Sequence, residues 1–153
     1  MDSKNFSKEA VVGVVGVGSF GTVIANMLAE KNKVLVYARK EEVVQEINQF
    51  HRTQNRDFDP SIRATHDPEE LCDSCHTIFF MVPSSGFQEV ARKFAPFLQP
   101  YHLVIHGTKG LCLDLPEGKD LDSLKSINRN RILTMSEVLQ KETVAVRVGC
   151  LAG

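Results

Sequence analysis

The apolar residues of this chain alternate between two periods. Short runs rich in valine and isoleucine occur at AVVGVV (10–15), KVLVYA (33–38), TIFFMV (77–82), HLVIH (102–106) and TVAVRV (143–148). Continuous apolar runs of this length suit strands buried on both faces. Between them the spacing changes to that of helices. Phe20, Val23, Ile24, Met27 and Leu28 follow i, i+3, i+4, i+7, i+8, and Val43, Val44, Ile47 and Phe50 share one face. Phe87, Val90, Ala91, Phe94 and Leu98 repeat the pattern, with Ser85 and Gln88 spaced as a capping box at its start and Pro96 and Pro100 marking its end. Strand–helix alternation predicts an α/β fold: a mainly parallel, doubly wound sheet with helices on both faces and right-handed crossovers. Ligands of such a sheet gather at the carboxyl ends of its strands. Two segments break the rhythm. Residues 51–67 are polar and read as a surface loop with a short strand at 62–65, and 111–130 reads as an excursion before a helix at about 132–141.

Composition narrows the picture. The 153 residues fit one domain, and 42% hydrophobic with 24% charged residues is ordinary for a soluble globular protein. The formal charge is −1, with 18 basic against 19 acidic residues and no basic block, so nucleic acid is not an expected partner. No stretch approaches the roughly 18 apolar residues of a membrane span, and MDSKNFSKEA lacks the basic start and apolar run of an export signal. The expectation is a cytoplasmic protein with no membrane partner.

Gly16-Val17-Gly18-Ser19-Phe20-Gly21 has the spacing G-x-G-x-x-G. The pattern alone is weak, but here it follows a predicted strand and opens a predicted helix, the context of a dinucleotide-binding, Rossmann-like crossover. Gly16 would allow the tight turn, Gly18 the approach of backbone to a pyrophosphate, and Gly21 close helix–strand packing. The helix start offers unpaired N–H groups and a positive dipole end to phosphate. At the end of the second strand, where an acid would accept from the ribose of NAD, the sequence has Arg39 and Lys40. A guanidinium there can fork onto a 2′-phosphate, which favours NADPH over NADH. The alternative is a solvated Arg39, with Glu41 or Glu42 taking the ribose. Lys109, just past the HLVIH run, falls at the ligand edge of the sheet.

Several runs together resemble one family, the NAD(P)-dependent glycerol-3-phosphate dehydrogenases of bacteria. VGVGSFGTVIANMLA is similar to its cofactor loop, VYARK to its second strand, FFMVPSSGFQEV to the strand and turn carrying Val-Pro-Ser, and HGTKGL to its Thr-Lys-Gly-Leu signature. MSEVLQKE and the terminal GCLAG resemble the stretch leading to that family's Gly-Pro-Asn or Gly-Pro-Ser turn. The resemblance spans nearly the whole chain, and Thr108-Lys109-Gly110-Leu111 is its sharpest element. It implies that Lys109 contacts both nicotinamide and substrate, that Ser19, Phe20 and Pro83 line the cofactor, that Arg39 reaches the adenosine phosphate or ribose, and that Gly153 opens the substrate-binding turn. The implied reaction is reduction of dihydroxyacetone phosphate to sn-glycerol 3-phosphate by NAD(P)H, the start of glycerophospholipid synthesis, in an enzyme that is commonly a homodimer.

That family carries a second, helical domain whose lysine is the general acid/base. Residues 1–153 therefore read as the NAD(P)-binding domain of a longer enzyme, expected to bind dinucleotide but to turn over little substrate alone. The 111–130 excursion is longer than the usual family connection. Two rivals stand beside this reading: another dehydrogenase on the same cofactor domain, such as a β-hydroxyacid dehydrogenase or a ketopantoate reductase relative, and a non-catalytic NAD(P)-sensing module.

Other motifs have blander readings. CDSCH (72–76) spells a haem-attachment site, but it leads directly into a buried strand, and a zinc site from Cys72, Cys75, His66 and His76 has irregular spacing. The four cysteines (72, 75, 112, 150) read as reduced thiols and no metal is expected. His106 reads as a packed, hydrogen-bonded histidine, and Ser84 and Ser85 as helix caps with no paired base.

Overall fold

The computed structural model describes residues 10–115, 118, 120, 122 and 126–152. A six-stranded sheet forms its centre, built from β1 (Val11–Val15), β2 (Lys33–Tyr37), β5 (Arg63–Thr65), β6 (Thr77–Phe80), β7 (Leu103–His106) and β10 (Arg147–Cys150). Their spatial order is β5-β2-β1-β6-β7-β10, and every pairing is parallel. Two short antiparallel ribbons complete the strands: β3 (Arg52–Thr53) with β4 (Arg56–Asp57), and β8 (Leu111–Leu113) with β9 (Ile132–Thr134).

Side-chain alternation along the central strands divides the core between the two faces of the sheet. Val14, Val34 and Val36 point to one face, where Ile24 and Ala25 of α1 (Ser19–Ala29) and Val44 and Ile47 of α2 (Glu41–Phe50) cover them. Val15, Leu35 and Tyr37 point to the other. There they meet Leu71 of α3 (Pro68–Ser74), Phe87 and Phe94 of α4 (Ser84–Phe94), and Met135 and Leu139 of α5 (Met135–Glu142). The Tyr37 ring stands edge-on to Phe94, with centroids 5.0 Å apart. Helices therefore cover both faces, as the alternation of periods implied. In mid-β1, Gly13 is small because α3 packs directly on it: a Cβ there would lie 2.8 Å from Leu71 Cδ2.

Several local expectations need correction. The 143–148 run does not form a strand throughout; β10 starts only at Arg147, and Val144 and Val146 are exposed. Ser85 and Gln88 form no capping box. The helix already begins at Ser84, Pro83 occupies the N-cap position without a side-chain bond, and Gln88 Nε2 instead donates to Glu142 Oε1 at 2.8 Å. Neither serine is therefore a cap. A capping box does exist at Thr134 and Glu137, opening α5. Residues 51–67 fold back as the β3–β4 hairpin, followed by β5 where a strand was expected. Helix α3 follows, with Pro68 in its first turn and Asp67 accepting from the Glu69 N–H at 2.9 Å. Seven residues of the 111–130 excursion lie outside the described residues; it opens with strand β8, paired with β9, so the helix expected at about 132–141 begins only at Met135, as α5. Among the described residues no helix is long and apolar enough to cross a membrane.

Candidate functional site

The carboxyl ends of β2, β1, β6 and β7 open onto one crevice, and β1 and β6 are the neighbours at which the strand order reverses. The chain leaves β1 through Gly16, Val17 and Gly18 and enters α1. Gly16 has φ +106°, donates its N–H to the Tyr37 carbonyl at 3.2 Å, and would place a Cβ 2.5 Å from the Met81 carbonyl oxygen. A Cβ on Gly21 would collide with the Gly16 carbonyl oxygen. The protein's own packing thus demands glycine at both positions. Gly18 differs, because its φ of −69° and ψ of −174° suit any residue and a Cβ would meet nothing within 4 Å. The space over Gly18 is open.

Helix α1 begins at that open space with no side-chain cap and no acidic residue in its first turn. Thr22 Oγ1 donates backward to the Gly18 carbonyl at 2.9 Å, so it too leaves the first-turn N–H groups untouched. These groups form the positive end of an 11-residue helix, a ready seat for phosphate oxygens.

The crevice has two adjoining hollows that share Gly18, Met81, Val82 and Pro83. The first, of about 510 Å³, lies between the glycine loop, the end of β2 at Tyr37 to Arg39, and Ser85 and Glu89 of α4. The second, of about 470 Å³, lies between Ser19 and Phe20 on one side and Gly107, Thr108 and Lys109 on the other. Gly16, Gly18, Ser19, Phe20, Arg39, Pro83 and Lys109 are thereby brought to one crevice, with Gly21 packed beneath its loop. Lys40 is not among the lining residues. It is exposed at the N-cap of α2, and Glu41 and Glu42 occupy the first turn of that helix, where they complement its dipole and do not line the crevice. Gly153 lies outside the described residues.

Local contacts fix the Lys109 end. Thr108 Oγ1 donates to the Val82 carbonyl at 2.6 Å, tying the segment after β7 to that after β6. Gly107 lacks a Cβ where one would sit 2.7 Å from the Phe20 ring, so that half-exposed ring can lie on the end of β7. Gly110 takes φ +131°, turning the chain into β8 beside Ser84. His106 is buried and faces away from the crevice lining: its Nε2 is 2.8 Å from Ser136 Oγ and its ring stands edge-on to Phe87. Burial pulls its pKa below the ordinary value, opposed in part by the Thr108 backbone.

The CDSCH cysteines are core residues. Cys72 and Cys75 are buried, and burial pushes both thiols up to about 12, whereas His66 and His76 are exposed. Among the described residues no cluster of three metal-ligating side chains forms. One crevice residue, Glu89, and one residue of a neighbouring hollow, Arg56, escaped the sequence reading. Glu89 follows Ser85 by one helical turn, a spacing that could have placed it on the lining face of α4. Arg56 donates from Nη2 to Ser19 Oγ at 2.9 Å, and no local pattern in the polar segment around it signals this.

Several known proteins are similar to this chain in sequence or fold. Glycerol-3-phosphate dehydrogenase, NAD(P)+, of Limosilactobacillus reuteri is 31% identical over 147 residues, covering 89% of this chain and 44% of that protein. The enzyme of the same name from Teredinibacter turnerae is 32% identical over 148 residues, covering 93% of this chain and 38% of its own length. The structure of a glycerol-3-phosphate dehydrogenase from Saccharomyces cerevisiae superposes with a TM-score of 0.75 at 18% identity, over 95% of this chain and 42% of the other, a likeness of fold. The chain thus spans less than half the length of these relatives. The family profile described as NAD-dependent glycerol-3-phosphate dehydrogenase N-terminus matches residues 11–153, and the chain belongs to that family.

Proposed function

We propose that the crevice binds a nicotinamide dinucleotide, NADPH in preference to NADH, and that the chain is the cofactor-binding part of an enzyme that reduces dihydroxyacetone phosphate to sn-glycerol 3-phosphate for glycerophospholipid synthesis. One observation carries the reading: of the three glycines in the loop, two are required by the protein's own packing and the third, Gly18, opens onto empty space beside an uncapped helix start. Pyrophosphate fits that cradle. The adenosine half then falls in the hollow with Arg39 and Glu89, and the nicotinamide half beside Phe20 and Lys109.

The bound nicotinamide supplies the hydride. The chain's residues supply position and field. The Lys109 ammonium, a compact cation on a flexible stem, attracts the substrate's phosphate or stabilises charge building on its carbonyl oxygen. Phe20 and Pro83 exclude water from the nicotinamide side. On the family resemblance, the proton comes from a lysine in a second, helical domain, Gly153 opens the turn that holds substrate, and the enzyme is a cytoplasmic homodimer. The Thr108-Lys109-Gly110-Leu111 run favours this chemistry over that of other dehydrogenases or an NAD(P) sensor.

Arg39 gives the preference for NADPH its physical basis, since Glu41 and Glu42 do not line the hollow that would hold the ribose. Calorimetric titration of the purified chain with NADPH and NADH tests the reading. Saturable binding of both, tighter for NADPH, is expected, and Arg39→Gln removes the difference. A marked NADH preference in the unaltered chain overturns the role of Arg39, and no binding of either overturns the site.

A further inference from the structure

We propose that Arg56 is a second phosphate-binding cation of the crevice, held over the start of α1 so that its guanidinium meets the pyrophosphate of either dinucleotide. The proposal rests on the dinucleotide reading above and adds a residue to it.

The β3–β4 hairpin is placed with care for so polar a segment. Helix α2 ends at His51, whose left-handed conformation (φ 53°) turns the chain back. The Phe58 N–H donates to the His51 carbonyl at 2.7 Å, closing the base of the hairpin, and the Phe58 side chain is buried. Asn26 of α1 then grips the far side. Its Nδ2 donates to the Asp57 carbonyl at 2.9 Å, and its Oδ1 accepts from the Asp59 N–H at 2.8 Å. Asn26 lies about two helical turns after Ser19, on the same face of α1. The hairpin therefore runs along that face, and Arg56 reaches Ser19 Oγ at 2.9 Å.

Electrostatics favours an anion at this place. The start of α1 is the positive end of a helix and has no acidic residue in its first turn, so a guanidinium beside it meets like charge. Among the described residues Arg56 has no carboxylate within ion-pair distance; Glu46 lines a hollow with it beside Val17 but does not pair. A pyrophosphate seated on Gly18 and Ser19 resolves both problems, since it accepts from the helix N–H groups and from the planar fork of Arg56. Because NADH and NADPH share the pyrophosphate, Arg56 acts on both alike, in contrast to Arg39.

The test is calorimetric titration of Arg56→Gln with NADH, NADPH and ADP-ribose, with thermal melting as the check on folding. A charge-assisted contact at a half-exposed site implies about 10-fold weaker binding of all three, with the NADPH-to-NADH affinity ratio unchanged. Wild-type affinity in the variant, or a loss confined to NADPH, overturns the proposal. Where Arg56→Gln fails to fold, Arg56→Lys serves in its place: it keeps the charge without the fork, about 3-fold weakening is expected, and wild-type affinity overturns the proposal. If the unaltered chain binds none of the three, the underlying dinucleotide reading fails instead.

Discussion

Replacing single glycines of the loop by alanine separates what the fold needs from what the ligand needs. At Gly18 the backbone is extended (φ −69°, ψ −174°), and an added methyl meets nothing within 4 Å. Alanine there gains roughly 0.4–1 kcal/mol by restricting the unfolded chain. It loses about as much because alanine is a poorer N-cap than glycine. Gly18→Ala should therefore fold with a stability within about 1 kcal/mol of wild type. In the proposed binding mode the same methyl would occupy space assigned to the pyrophosphate at the first-turn N–H groups. Loss of two charge-assisted bonds, at about 1.5–3 kcal/mol each, predicts dinucleotide binding weaker by roughly 100-fold or more. Gly21→Ala should behave in the opposite way. Its methyl strikes the Gly16 carbonyl oxygen and lies 3.3 Å from Met81 Cβ, so α1 must move off β1 at a cost of about 1–3 kcal/mol or more. Urea unfolding and calorimetric titration of both variants read the two effects. A Gly18→Ala protein that binds like wild type, or one that fails to fold, refutes the reasoning.

Other consequences follow from contacts around the crevice. Thr108→Val removes the donor to the Val82 carbonyl, and about 1 kcal/mol of stability should go with it in urea unfolding. His106 has its folded pKa below the ordinary 6.5, so the native state favours neutral imidazole. Its contribution is fully present above pH 6.5 and is lost as pH falls through the folded value, because the unfolded chain takes up the proton first. His106→Gln should flatten the slope of stability against pH below 6.5 in parallel melts. Thiol reagents at pH 8 should modify the exposed Cys150 in the native protein and reach Cys72 and Cys75 only after unfolding, because burial holds those thiols near 12.

The architecture was legible where pattern and burial coincide. β1, β2, β6 and β7 are continuous apolar runs because helices cover both faces, and α1, α2 and α4 bury one stripe each, so period alone located them. The 143–148 run misled because Val144 and Val146 are apolar without being buried: hydrophobicity marked a strand that starts later, at Arg147. Helix α3 was overlooked although Asp67-Pro68 is a sound start signal, since its seven residues are too few to show a period. The Ser85–Gln88 spacing matched a capping box, yet the turn after β6 starts the helix one residue earlier, and Gln88 is drawn to Glu142 on α5. The glycine loop and Lys109 could be placed at one edge because parallel topology fixes where strand ends lie. Arg56 could not. Its position depends on a left-handed turn at His51 and a grip from Asn26, contacts between segments that no local pattern joins.

An amide NMR titration of the chain with NADPH, combined with observation of the lysine side-chain signals, addresses the central claim most directly. Pyrophosphate on the first crossover and a cation facing the same crevice predict that the largest shifts fall on the backbone amides of Gly18, Ser19 and Phe20, with Lys109 moving along the same binding curve. Shifts that spare those amides, or a Lys109 that stays still while they saturate, would contradict it.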